Sequence, residues 1–173
     1  MKNKLISIAL LIAVVTMFAF APTNLAEAKK GSTFSVPVTG TFTDALGGTG
    51  TFVGSLLLQS FKVQNGAIVA AGTLTGTLTD SVGTVLGTIT QQVTLPVTNM
   101  SATCQVLHLE LGPLDLNLLG LMVHLDKVVL DITAQQGGGL LGDLLCSLAD
   151  LLSNGSASLN SISRLLNNIL ALL

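Results

Sequence analysis

Tryptophan and tyrosine are absent, charged residues make up only 9% of the 173 positions, and there are just two cysteines and two histidines. Each shortage removes a class of function. Nucleic-acid binding needs clustered Lys and Arg to displace counterions from phosphates, and the seven cations here stand singly or in short pairs. Hydrolytic chemistry has little to recruit: G-x-S-x-G and H-E-x-x-H are both missing, and any triad would have to take one of the two histidines. Gly48-x-Gly50 with Gly54 misses the spacing of a dinucleotide fingerprint and no helical pattern follows it, so it reads as a hairpin. No catalytic residue and no cofactor is assigned.

Long apolar runs are also lacking, with one exception at the start. Lys2 and Lys4 precede an apolar run from Leu5 to Ala21, and Ala26-Glu27-Ala28 supplies the small residues of a peptidase site. That order is the signature of a secretory signal, with cleavage expected after Ala28. The run is at the short end of the roughly 20 residues a spanning helix needs, and Pro22 follows it. No cysteine sits at the junction to carry a lipid. Without residues 1–28, the cations are Lys29, Lys30, Lys62, Lys127 and Arg164 against eight carboxylates, a net charge of −3. Every later apolar stretch is interrupted by Asp, Asn, His, Lys or Gly, so no transmembrane segment is expected in the mature chain.

What is abundant is aliphatic. Hydrophobic residues reach 49% and mean hydropathy is +0.75, a surplus that has to be hidden inside, in an oligomer or against something lipid-like. In an oxidising compartment Cys104 and Cys146 are most simply each other's partner. Closing a loop of about 40 residues would stabilise the fold by roughly 4 kcal/mol in the chain-entropy account.

From Thr33 onward the pattern has period two and is rich in Thr, Val and Phe, which suit a pleated surface. Strands are predicted near 34–43, 50–63, 67–79, 84–97, 104–111, 114–125 and 127–134. Gly47-Gly48, Asn65-Gly66, Asp80–Gly83, Pro96–Ser101 and Gly112-Pro113 provide the breaks. Asn65-Gly66 is the clearest, because both residues tolerate the positive φ of a two-residue hairpin. Between 67 and 79, Ile68, Ala70, Gly72, Leu74, Gly76 and Leu78 share one face and the threonines the other, and the spaced glycines imply a strongly coiled sheet. Val128, Leu130 and Ile132 resume after Asp126-Lys127 on the other parity, as a bulge would produce.

After Gly137-Gly138-Gly139 the apolar spacing becomes helical. Leu140, Leu141, Leu144, Leu145, Leu148, Leu151 and Leu152 form one stripe. Asn154-Gly155 ends it, and Ser156 or Ser158 can cap a second helix. There Leu159, Ile162, Leu166, Ile169 and Leu173 make a seam with Arg164, Asn167 and Asn168 outside it; the seam either docks on the core or associates with a copy.

The expected fold is therefore mainly β within an α+β plan: an antiparallel coiled sheet, barrel or two-layer sandwich of about seven strands, in a single domain from 29 to 173, with a C-terminal helical pair (140–173) pinned through Cys104 and Cys146. His108-x-Glu110 and His124-x-Asp126 are the one constellation that could hold a metal, since alternate residues share a strand face. The same four residues are equally the solvated side of two strands whose other side is leucine. Leu95–Asn99 resembles a sortase signal but lies mid-chain. The threonine rows at 73–79 and at Thr84, Thr88 and Thr90 suit an adhesive or ice-binding face, yet an ordinary sheet exterior looks alike and no fixed-period repeat stacks them.

Leu107–Leu121, LHLELGPLDLNLLGL, together with Gly139–Cys146, GLLGDLLC, resembles a motif pair of small exported bacterial proteins. The resemblance covers 104–150 well and the threonine-rich half more loosely. It implies secretion and a disulfide and carries no activity with it. A secreted or cell-envelope protein acting by binding or assembly is the expectation, with a carrier of a lipid-like ligand, in a cavity between sheet and helices, as the alternative. A metal-dependent enzyme built on the two histidines is the third reading.

Overall fold

The computed structural model describes residues 34–135, 139–155 and 157–173. The signal segment, the expected cleavage site, residues 136–138 of the glycine-rich linker and Ser156 lie outside the described residues.

Eight strands form one antiparallel sheet: β1 (Phe34–Thr43), β2 (Thr49–Gln64), β3 (Ala67–Thr79), β4 (Val85–Ala102), β5 (Val106–Leu111), β6 (Leu114–Leu118), β7 (Leu121–Leu125) and β8 (Val128–Thr133). Two helices follow, α1 (Leu140–Ser153) and α2 (Leu159–Leu170). The sheet order is β6-β7-β1-β2-β3-β4-β5-β8, and it curls into a half-barrel. This is the mainly β architecture that period two predicts, with one strand more. Residues 114–125 are not one strand: Leu119-Gly120, with φ of 54° and 86°, makes a two-residue turn between β6 and β7. The apolar residues change parity at Leu119 because the chain reverses there.

Pro96–Ser101 is likewise no turn. β4 runs through it with a register shift between Val97 and Asn99. Its first part pairs with β3 and its last part with β5. Asp126-Lys127 is also not a bulge in one pairing. There the chain leaves β1, the partner of β7, and joins β5, the partner of β8. β5–β8 thus form a long hairpin interrupted at Gly112-Pro113 and Asp126-Lys127. One half of it pairs with β4 and the other with β1.

Packing explains the curl. On β1 to β3 the inward positions alternate large and absent side chains. The Phe42 ring lies over Gly50, and the Phe52 ring over Gly54 and Gly76, where an added Cβ would collide with it. Phe42, Phe52, Leu56, Leu58, Leu74 and Leu78 are buried, while Thr73, Thr75 and Thr77 face outward. A bulge between Leu58 and Ser60 changes the parity of β2 so that Phe61 is buried as well. Pro37 is tolerated because the Asp126 N–H donates to the Thr39 carbonyl (2.9 Å), which fixes the alternation of β1. The nitrogen of Pro37 therefore faces away from β2, where no ladder bond is lost.

Both helices sit on this sheet. Cys104, in the β4–β5 turn, and Cys146, in α1, form the expected disulfide, S–S 2.09 Å. Leu145 and Leu148 are the buried part of the α1 stripe, and the α2 seam docks through Ile162, Leu166 and Ile169. The Ser158 hydroxyl accepts from the Ser161 N–H and caps α2. Asn167 does not lie outside the seam. Its Oδ1 accepts from the Phe61 N–H (2.7 Å) and its Nδ2 donates to the Phe61 carbonyl (2.8 Å). Among the described residues β1 begins at Phe34, opposite Leu58, and the Asn167 amide pairs with the β2 backbone beyond that point.

Two outcomes are expected in equilibrium denaturation. Gly50→Ala costs about 1–3 kcal/mol by overpacking, and most of the loss disappears in a Phe42→Leu background, giving a non-additive double-mutant cycle. Asn167→Ala costs about 1–3 kcal/mol because both Phe61 backbone groups lose their partners; an unchanged midpoint would show that α2 is held by its apolar seam alone.

Candidate functional site

Three hairpin turns gather at one end of the sheet: β1–β2, β3–β4 and β6–β7. Two of them share a local sequence, TGTFTDAL at 39–46 and TGTLTDSV at 75–82, and make the same turn hydrogen bonds. Each Asp N–H donates across the turn, Asp44 to the Gly48 carbonyl and Asp80 to the Thr84 carbonyl, both at 2.9 Å. Each carboxylate accepts backbone N–H groups of its own turn. Asp44 takes those of Leu46 (2.9 Å) and Gly48 (2.8 Å), and Asp80 those of Val82 (3.1 Å) and Thr84 (2.6 Å).

Asp44 reaches further. Its second oxygen accepts from the Ser81 hydroxyl and the Ser81 N–H, joining the first turn to the second. The side chain is nearly buried, 8% exposed. The Ser81 hydroxyl, the Ser81 N–H and the Gly48 N–H all favour the charged form, outweigh burial, and bring the pKa from 3.8 to about 2.

The turn residues left over are apolar. Leu46, Val82, Val85, Leu86, Leu119 and Met122 are 45–82% exposed. Leu46, Leu86, Leu119 and Leu121 line an open cavity of about 340 Å³ together with Asp44 and Asp80. Leu119 is the unusual member. At φ 54° it holds a backbone conformation that suits Asn or Gly, and it is 64% exposed. The β2–β3 turn at the other end has the same backbone need and meets it with Asn65-Gly66.

The four candidate metal ligands occupy the outer face, and they do not converge on one point. His108 on β5 stands between Ser101 of β4 and Asp131 of β8 in register, with Nδ1 2.6 Å from Asp131. His124 on β7 stands between Thr41 of β1 and Asp115 of β6, with Nδ1 2.7 Å from Asp115. The two halves of the long hairpin thus carry matching rows of hydroxyl, imidazole and carboxylate. Asp131, through its hydrogen bond, raises the pKa of His108. Glu110 lies 3.7 Å from His108 Nε2 and accepts from Lys127 (3.2 Å), while Asp126 accepts from the Thr39 hydroxyl (2.7 Å). Among the described residues no group of three or more His, Cys, Asp and Glu is placed to hold a metal ion. These rows are cross-strand ties on a solvated face.

Period two marks the β1–β2 and β3–β4 turns, runs a strand through the β6–β7 turn, and does not bring the three together. The signal was present twice: the repeated octapeptide, and Leu or Val at turn tips where polar residues are usual.

Because the folded pKa of Asp44 lies below its ordinary value, its contribution to stability is present above pH 3.8 and is lost as pH falls towards 2. Asp44→Asn is therefore expected to lower Tm at neutral pH and to flatten the decline of Tm between pH 4 and 2, measured by circular dichroism. No protein-family model, no curated protein and no solved structure matches the chain, so the three-turn end is identified by its own geometry.

Proposed function

We propose that this is a non-catalytic protein of the extracytoplasmic envelope or matrix that works by binding or assembly through its three-turn end. The observation that carries the reading is the set of exposed aliphatic side chains on turns whose backbone amides are held from within by Asp44 and Asp80. Clustered apolar exposure of this kind marks interaction surfaces. The disulfide supports an oxidising compartment. Among the described residues no helix is long and apolar enough to cross a membrane.

Carriage between sheet and helices has less support. The space lined by Phe34, Leu58, Leu107, Leu130, Leu166 and Ile169 is about 10 Å³, room for at most about one water, and the cavity of about 260 Å³ at the start of α2, beside Ile68, Val97, Met100 and Leu159, is open and also lined by Thr98 and Asn99. The metal-enzyme reading on His108 and His124 would require the two to meet, and each is bound within its own row.

The test is the distribution of the exported protein between producing cells and medium. Wild type is expected to remain partly surface-associated, and the combined Leu46→Ser, Val82→Ser and Leu119→Asn variant to move to the medium with unchanged far-UV circular dichroism. His108→Ala with His124→Ala should behave as wild type. Identical distribution of the tip variant and wild type would remove the three-turn end from the function.

A further inference from the structure

We propose that the partner of the three-turn end is a neutral lipid surface, into which Leu46, Val82, Leu119 and Met122 insert shallowly. This rests on the reading that the turns are the binding end and names what they bind.

Three features select lipid over a second copy of the chain or another protein. The first is polar satisfaction. A segment entering hydrocarbon cannot leave N–H groups without acceptors, and the N–H groups of Leu46, Gly48, Ser81, Val82 and Thr84 are all taken by the Asp44 and Asp80 carboxylates. The Gly120 N–H is taken by Asn117 Oδ1 (3.0 Å). Tips closed in this way offer few free donors to a protein partner, whose rim would need them.

The second is area. Six aliphatic side chains at these exposures present on the order of 500 Å² of apolar surface. That is about the apolar share of one side of a standard subunit interface, which also needs a complementary polar rim, whereas hydrocarbon demands neither a minimum area nor a matching shape. The third is charge. Two carboxylates, Asp44 and Asp80, are among the residues lining the cavity. The cations among the described residues are elsewhere: Lys62 near the β2–β3 turn, Lys127 between β7 and β8, and Arg164 on α2. Anionic headgroups gain nothing here, so a zwitterionic surface is the fitting one.

Leu119 strengthens the case. Asn or Gly at its position would relieve the backbone, and leucine there spends conformational free energy on an exposed apolar tip.

The experiment is vesicle flotation of the purified full chain, with light scattering and thermal melts alongside. Wild type should float with phosphatidylcholine vesicles, and admixed phosphatidylglycerol should not increase the bound fraction. Leu119→Asn alone should weaken binding several-fold while Tm stays equal or rises, a pairing that simple unfolding cannot produce. Leu46→Ser with Val82→Ser should also reduce binding. Val53→Ser, an exposed position on the outer face of β2, should leave it unchanged. Binding that requires phosphatidylglycerol, or no flotation at all, overturns the lipid assignment. If light scattering shows a dimer that the tip variants dissociate, a second copy is the occupant and only the lipid assignment falls. Tip variants that match wild type in flotation, light scattering and cell association remove both readings.

Discussion

Unpaired backbone groups at the two edges of the β1–β4 meander are what the remainder of the chain is arranged to cover. An uncovered edge is a template for uncontrolled strand addition, and a single hairpin can protect only one edge unless it is interrupted. The interruption at Gly112-Pro113 and Asp126-Lys127 lets one hairpin serve both, β5 lying along β4 and β7 along β1. Because the two edges are joined through one piece of chain, the sheet has to curl, and the glycines facing Phe42 and Phe52 make that curl sterically possible.

The remaining edge is handled by smaller means. Pro37 presents no donor on the outer side of β1, and Asn167 pairs with the β2 backbone at Phe61. The helix bearing Asn167 packs on the sheet with about 10 Å³ open where Leu166 and Ile169 meet it, and the disulfide anchors α1 to the β4–β5 turn. The histidine rows and the hairpin turns lie on the outside. On that outside the His108 and His124 rows tie strands together, while the three-turn end exposes apolar side chains on turns whose amides are held by Asp44 and Asp80.

The repeated octapeptide gives this end its rigidity. An aspartate at the first position of each turn collects the local amides, and Asp44 reaches Ser81 to join the two turns. Small differences between the copies decide the geometry: Ser81 stands where the first copy has Ala45, so the link runs in one direction only.

Period-two alternation, Asn65-Gly66 and the change to helical spacing after Gly139 were enough to read the strands, the first hairpins and both helices, because those signals are local and each is set by a few consecutive residues. The pairing of Cys104 with Cys146 was legible for the same kind of reason, there being no other cysteine to choose. The split of 114–125 at Leu119-Gly120 was not, since leucine in a positive-φ turn breaks the rule by which turns are recognised. Nor was the role of Asn167, which depends on α2 meeting the β2 backbone at Phe61. The separation of the two histidines, the exchange of partners at Asp126-Lys127 and the gathering of three turns into one apolar end were decided by tertiary structure alone. Each depends on which strand edges meet, and strand partners are chosen by long-range backbone pairing that no single segment encodes.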